Sequence, residues 1–249
     1  MYATGIFALA VLCYVSNDFI IGRPPAWPVG FNINPALAYV SGVLLIIAAI
    51  AILLKRKGRL AAFLISALIF FFSVLRHLPN FMNDWPNAYK AIALLGGSFI
   101  IAASFPMSGL TKDSGFKTNE RFRSALITIG SLCLAVFFIA CGYAHFKFVD
   151  FIESFIPSYI PFHVFWAYFC GICLFAGGIG LLIPQTRRPA ALLSGCMILG
   201  WFLLLHIPRF ITNTKDVSDR MGLCESFTLV GIFFVLAGLL PGLQNKRTL

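Results

Sequence analysis

The chain has 249 residues, of which 59% are apolar and only 11% charged, with a mean hydropathy of +0.89. An ordinary soluble domain carries about 25% charged residues, so this chain cannot cover a water-facing surface. The composition excludes a disordered chain, a disulfide-stapled secreted domain and a typical nucleic-acid binder, and it predicts an all-α integral membrane protein.

Eight apolar stretches of spanning length follow one another, at roughly 4–22, 36–54, 60–78, 89–109, 124–146, 162–184, 190–208 and 225–243. A span needs about 20 residues to cross the hydrocarbon layer. Runs such as Val43–Leu54 lack the two-residue alternation of barrel strands. Residues 5–15 resemble the core of a signal peptide, but no Lys or Arg precedes them and no small-residue cleavage pattern follows. They are therefore kept as the first span.

Three basic breaks separate the spans: Lys55 to Arg59, Thr111 to Arg123, and Gln185 to Pro189. With eight crossings these breaks share a face with both termini. That face carries the whole formal charge of +10, while the opposite face is balanced. The positive-inside rule makes the basic face cytoplasmic and both termini internal, as in a bacterial inner-membrane protein. The high pI is then a signal of topology and requires no nucleic-acid partner.

Shifted by 129 residues, the sequence matches itself. Residues 59–81 and 188–210 share nine of 23 positions, among them His77 with His206, Pro79 with Pro208 and Phe81 with Phe210. The same shift pairs Tyr14 with Tyr143, Phe19 with Phe148 and Gly42 with Gly171. The expected architecture is eight transmembrane helices forming two parallel-repeat four-helix bundles. The first unit would cover 1–110 and the second 124–249, joined by a cytoplasmic linker at 111–123.

Polar chemistry collects at the outer ends of these spans. His77, His145, His163 and His206 all fall there, with Tyr143, Arg209, Arg76, Asp18 and Glu225. Pro79 and Pro208 should end the third and seventh spans, with a His in each last turn. Two readings of those histidines stand side by side. Either they cap the free carbonyls of the helix end, or they face a shared pocket as hydrogen-bond donors or metal ligands. No spacing matches a metal signature, so metal or haem is less favoured than an organic ligand.

The seven cysteines lie in or beside spans. Cys170 and Cys173, at i and i+3, share a helix face and suit either redox exchange or close helix packing. The glycine runs at 96–97 and 177–180 read as close-contact faces. No phosphate loop, dinucleotide fingerprint, nucleophile elbow or zinc-protease helix is present.

Several segments together carry a family resemblance: Tyr143 to Phe146, Ile160 to Gly171, Ala176 to Leu182, Arg188 to Ala191, and His206 to Arg209, with Gly22 to Pro28 and Arg76 to Pro79 in the first half. The chain resembles the DoxX family of bacterial membrane proteins, as two tandem DoxX-like four-helix units. The resemblance implies an association with quinone-linked or disulfide redox chemistry. On that reading His145, His163 and His206 would donate hydrogen bonds or protons to a small amphipathic, quinone-like molecule. Tyr143 and Arg209 would orient it, and His77 would join them. The alternative is a non-enzymatic subunit or scaffold that holds redox or respiratory partner subunits through its small-residue faces.

Overall fold

The computed structural model describes residues 1–28, 35–106 and 115–241. Parts of two basic segments, at 107–114 and 242–249, lie outside the described residues. So do the last residues of the expected fourth and eighth spans.

The described chain folds into helices: α1 (Tyr2–Val15), α2 (Pro35–Leu53), α3 (Gly58–Arg76), α4 (Trp85–Ser104), α5 (Gly115–Lys147), the single-turn α6 (Val149–Glu153), α7 (His163–Leu182), α8 (Arg187–Trp201), α9 (Ile207–Thr212) and α10 (Val217–Leu239). A π-helical turn, Phe202–His206, joins α8 to α9, so that Arg187–Thr212 is one continuous span. Among the described residues seven helices are long and apolar enough to cross a membrane. The architecture suits a multi-pass membrane protein.

Neighbouring helices pack in a closed ring, α1–α2–α3–α4–α5–α7–α8–α10, with α10 returning to α1. Helices α4 and α10 also meet each other across the middle of the ring. They are the most buried of the seven spans, and α7 and the α8–α9 span are the most exposed. The contacts α4–α5 and α10–α1 close the ring between the two halves of the chain.

Small residues make these contacts possible. A Cβ built on Gly5 of α1 would stand 2.1 Å from Thr228 Oγ1 of α10, and one on Gly178 of α7 would stand 3.0 Å from the Ala135 carbonyl of α5. In a bilayer, where lipid already satisfies apolar surface, such close backbone approach is a main source of helix affinity.

The first expected span, 4–22, is helical only over Tyr2–Val15. Fourteen residues make about 21 Å of helix, less than the hydrocarbon layer. The helix stops in a Schellman motif: Asn17 takes the left-handed conformation (φ 51°), its N–H reaches Tyr14 O, and the Asp18 N–H reaches Cys13 O. Residues Phe19, Ile20 and Ile21 continue as buried, non-helical chain. Their apolarity satisfies the hydropathy pattern without helix. The α2 terminus repeats the motif, with Lys55 (φ 54°) in the left-handed position and Arg56 N–H on Ala51 O.

Two further boundaries differ from expectation. The linker at 111–123 is helical from Gly115, because its Asn, Glu and Arg residues extend α5 by two turns. Pro208 does not end the seventh span. Proline lacks the N–H that would reach the carbonyl four residues back. Here that carbonyl, Leu204 O, accepts the Tyr159 hydroxyl, and the Ile207 N–H reaches back five residues to Phe202 O. The π-turn thus absorbs the proline, and the helix runs on to Thr212. At Pro79 nothing comparable occurs, and α3 stops at Arg76.

Candidate functional site

The ends of α1, α3, α5 and α9 and the starts of α4, α7 and α10 gather at one end of the ring, where all four histidines lie. In the first half of the chain this end is plugged by the segment after α1. Arg76, 3% exposed, is bound at 2.9 Å to both Asp18 oxygens. It also donates to the carbonyls of Phe19 (2.9 Å) and Pro25 (2.8 Å) and lies 4.4 Å from the Trp27 ring. Trp27 in turn donates to Asp18 at 3.1 Å, and Phe19 stacks on Phe72 at 4.0 Å. Every polar arm of Arg76 is used inside the protein, so it is a structural cross-link.

Beside this plug lies an ion network centred on Glu225 of α10, which is 3% exposed. Its Oε1 accepts the Gly22 N–H at 3.0 Å. Its Oε2 pairs with Arg23 Nε at 3.4 Å and Lys90 Nζ at 3.6 Å. Gly22 has φ +81°, a conformation that favours glycine, and this aims its N–H at the carboxylate. Arg23 donates a second bond to Ser218 O at 2.7 Å. Gly222, one turn before Glu225, leaves room for Arg23 and His206 to meet over the helix: a Cβ there would stand 2.8 Å from Arg23 Nη2 and 3.0 Å from His206 Nδ1.

His77 follows α3 and is 4% exposed, yet among the described residues neither ring nitrogen has a hydrogen-bond partner. Burial first, then the nearby Arg76 and Lys90 cations, pull its pKa from 6.5 to about 4, so the ring is neutral. The helix end it follows is capped by another residue, Asn80, which donates to Arg76 O at 3.0 Å. The capping geometry expected of His77 belongs to His145, whose Nδ1 lies 2.8 Å from Cys141 O four residues back. A carbonyl accepts, so this nitrogen carries the proton.

The expected histidine cluster is therefore dispersed. His77 and His206 both lie within electrostatic reach of Lys90. His145 instead faces Trp201, with ring centroids 6.3 Å apart. His163 begins α7, half-buried, and takes no part in the network's hydrogen bonds. Arg209 is occupied by Asp219 at 2.9 Å and lies 4.4 Å from the Phe155 ring. Cys170 and Cys173 are free thiols, both half-buried. Among the described residues no three His, Cys, Asp or Glu side chains gather as metal ligands.

Tyr143 lines a different feature, an open apolar groove of about 430 Å³ between α4 and α5. Phe81, Trp85 and Tyr89 form one wall, and Val136, Ile139 and Ala140 line it from α5. Trp85 sits 5.8 Å from Tyr143 and 6.2 Å from Tyr89, so three aromatic faces surround the opening. Lys90, which pairs with Glu225, follows Tyr89 on α4 and does not line the groove.

Sequence reasoning passed over Lys90, Arg23 and the groove. The available signal was Lys90 itself, a lone cation in the second turn of an apolar span. The partnership of Gly22, Arg23, Lys90 and Glu225 joins residues some 200 positions apart and leaves no local pattern.

Residues 134–217 match the model of a family described as a domain of unknown function, DUF8561. This stretch takes in Tyr143, His145, His163, His206 and Arg209, and stops before Glu225. No curated protein and no solved structure matches the chain.

Proposed function

We propose that this protein binds a small amphipathic, quinone-like molecule in the groove between α4 and α5. The observation that carries this reading is an open, aromatic-walled groove at the polar end of the bundle, with the hydroxyl-bearing rings of Tyr89 and Tyr143 in its lining. A flat ring would stack on Trp85, and a phenol can donate to a ring carbonyl. The resemblance to DoxX proteins adds the expectation of quinone-linked redox chemistry. His145, His163, His206 and Arg209 do not line this groove.

The same proposal includes eight crossings arranged as two like-oriented units, in a bacterial cytoplasmic membrane with both termini inside. In its favour, the contacts α4–α5 and α10–α1 relate equivalent helices of the two halves, and α4 meets its counterpart α10 between them. Such an arrangement has a pseudo-twofold along the membrane normal. The first crossing is α1 plus the buried chain to Ile21.

The test is solvent extraction of protein purified in mild detergent, followed by titration with a short-chain benzoquinone read by tryptophan fluorescence. Saturable quenching that is lost in Ala140→Phe, which fills the groove, is the expected result. Absence of extracted quinone together with unsaturable quenching refutes the reading.

A further inference from the structure

The connection between α5 and α7, residues 148–162, is unusually apolar for a loop in water. Its aromatic residues are Phe148, Phe151, Phe155, Tyr159 and Phe162, and its charged residues are Asp150 and Glu153. Two of the rings are tied to the bundle: Phe155 lies 4.4 Å from the Arg209 guanidinium, and the Tyr159 hydroxyl donates to Leu204 O. Phe151 and Phe162 instead turn outward, 61% and 78% exposed. Phe162 holds its outward position in the left-handed conformation (φ 61°), which is rare for a bulky residue. The 129-residue shift pairs Phe148 with Phe19, and the two have opposite fates. Phe19 is 1% exposed inside the plug of the first half, whereas Phe148 is 39% exposed.

Helix lengths give the depth of this segment. The 20 residues of α7 make about 30 Å of helix, the thickness of the hydrocarbon layer. Phe162, its N-cap, therefore stands at the edge of that layer. Phe165, Trp166 and Phe169 in the first turns of α7 are exposed as well, so the lipid-facing surface continues from the span into the connection. Leu204 lies eight residues before the end of its own span at Thr212, about 12 Å along the axis. A segment tied to Leu204 lies down against the helices and does not stand above them. Its backbone suits a place where water is scarce: the N–H groups of Ile152, Ser154, Phe155, Ile156 and Ile160 all bond to carbonyls within the segment.

We propose that residues 148–162 form a lipid-interface anchor, with the rings of Phe151 and Phe162 inserted among the headgroups and upper acyl chains of the adjoining leaflet. Aromatic rings favour that layer. The segment has two acids and no Lys or Arg, so the attachment is apolar and needs no anionic lipid. The proposal rests on α7 crossing the bilayer and does not depend on a ligand in the α4–α5 groove.

The test uses the full chain with p-benzoylphenylalanine placed singly at positions 151, 162, 169 and 215. Position 169 is the lipid-facing reference, and position 215, in the exposed turn beyond α9, is the water-facing one. Each protein is irradiated in phosphatidylcholine nanodiscs and in the membranes of the expressing cell, and its adducts are read by mass spectrometry. Lipid adducts at 151 and 162 as abundant as at 169, with none above background at 215, are expected. The yields should be unchanged when part of the phosphatidylcholine is replaced by phosphatidylglycerol. Yields at 151 and 162 no higher than at 215, or adducts that form only with phosphatidylglycerol, overturn the proposal. Protein adducts in place of lipid adducts in the cell membranes also overturn it, since the rings would then dock on a partner chain.

Discussion

Replacing Arg76 tests whether the plug after α1 is held by its guanidinium. In Arg76→Met the apolar stem remains, but the bonds to Asp18, Phe19 O and Pro25 O are lost together with the contact on Trp27. A buried carbonyl left unpaired costs about 1–3 kcal/mol. Asp18 keeps the Phe19 N–H at 2.8 Å and the Trp27 indole N–H at 3.1 Å, and its side chain is 31% exposed, so its stranded charge is partly solvated. The sum is about 3–5 kcal/mol, the range for breaking a buried pair. Asp18→Asn should cost less, because the amide oxygen still accepts from Arg76. The double variant should fall short of additivity by about 1–2 kcal/mol. Denaturant unfolding in dodecylmaltoside micelles, followed by tryptophan fluorescence, measures all three. A loss below about 1 kcal/mol for Arg76→Met, or strict additivity, refutes the cross-link.

Three further outcomes follow from the same geometry. His77 titrates near 6.5 when unfolded and about 4 when folded, so the unfolded chain binds the extra proton between those values; stability should fall by up to about 3 kcal/mol as pH drops through that window, and His77→Gln should flatten the profile. Gly5→Ala drives a Cβ into Thr228 Oγ1 and should destabilise the α1–α10 contact by about 1–3 kcal/mol; Thr228→Ala should recover part of the loss, and an unaffected single variant would show that α1 can shift freely. Tyr159→Phe removes the donor to Leu204 O and should cost about 0.5–1 kcal/mol in unfolding assays; in a Pro208→Ala background the restored N–H should reduce that cost toward zero.

The division between sequence and tertiary structure is visible in particular residues. Long apolar runs broken by Lys55–Arg59 and Gln185–Pro189 dictate helices and their loops, because a bilayer leaves the backbone no other way to satisfy its hydrogen bonds. Most helices follow that reading, although α5 begins inside the expected linker at Gly115 and the α8–α9 span runs past Pro208 to Thr212. The first departs from it because hydropathy records apolarity and not conformation: Phe19–Ile21 are as buried as a span requires but follow a left-handed Asn17. Equal motifs at Pro79 and Pro208 end one helix and not the other, since the outcome depends on whether a distant hydroxyl, that of Tyr159, takes the released carbonyl.

The candidate histidines were legible as a set by their position at helix ends. Their partners were not. Imidazoles at one depth can face different neighbours: His145 lies against Trp201 and His206 meets Arg23 over Gly222, while the His77 nitrogens have no hydrogen-bond partner among the described residues. Glu225 acquires its cations only when α10 is laid between α4 and the turn after α1. Local sequence determines which segments cross and where polar groups stop. Packing across the ring decides which charges meet, because electrostatic pairing depends on a few ångströms that no spacing along one helix encodes.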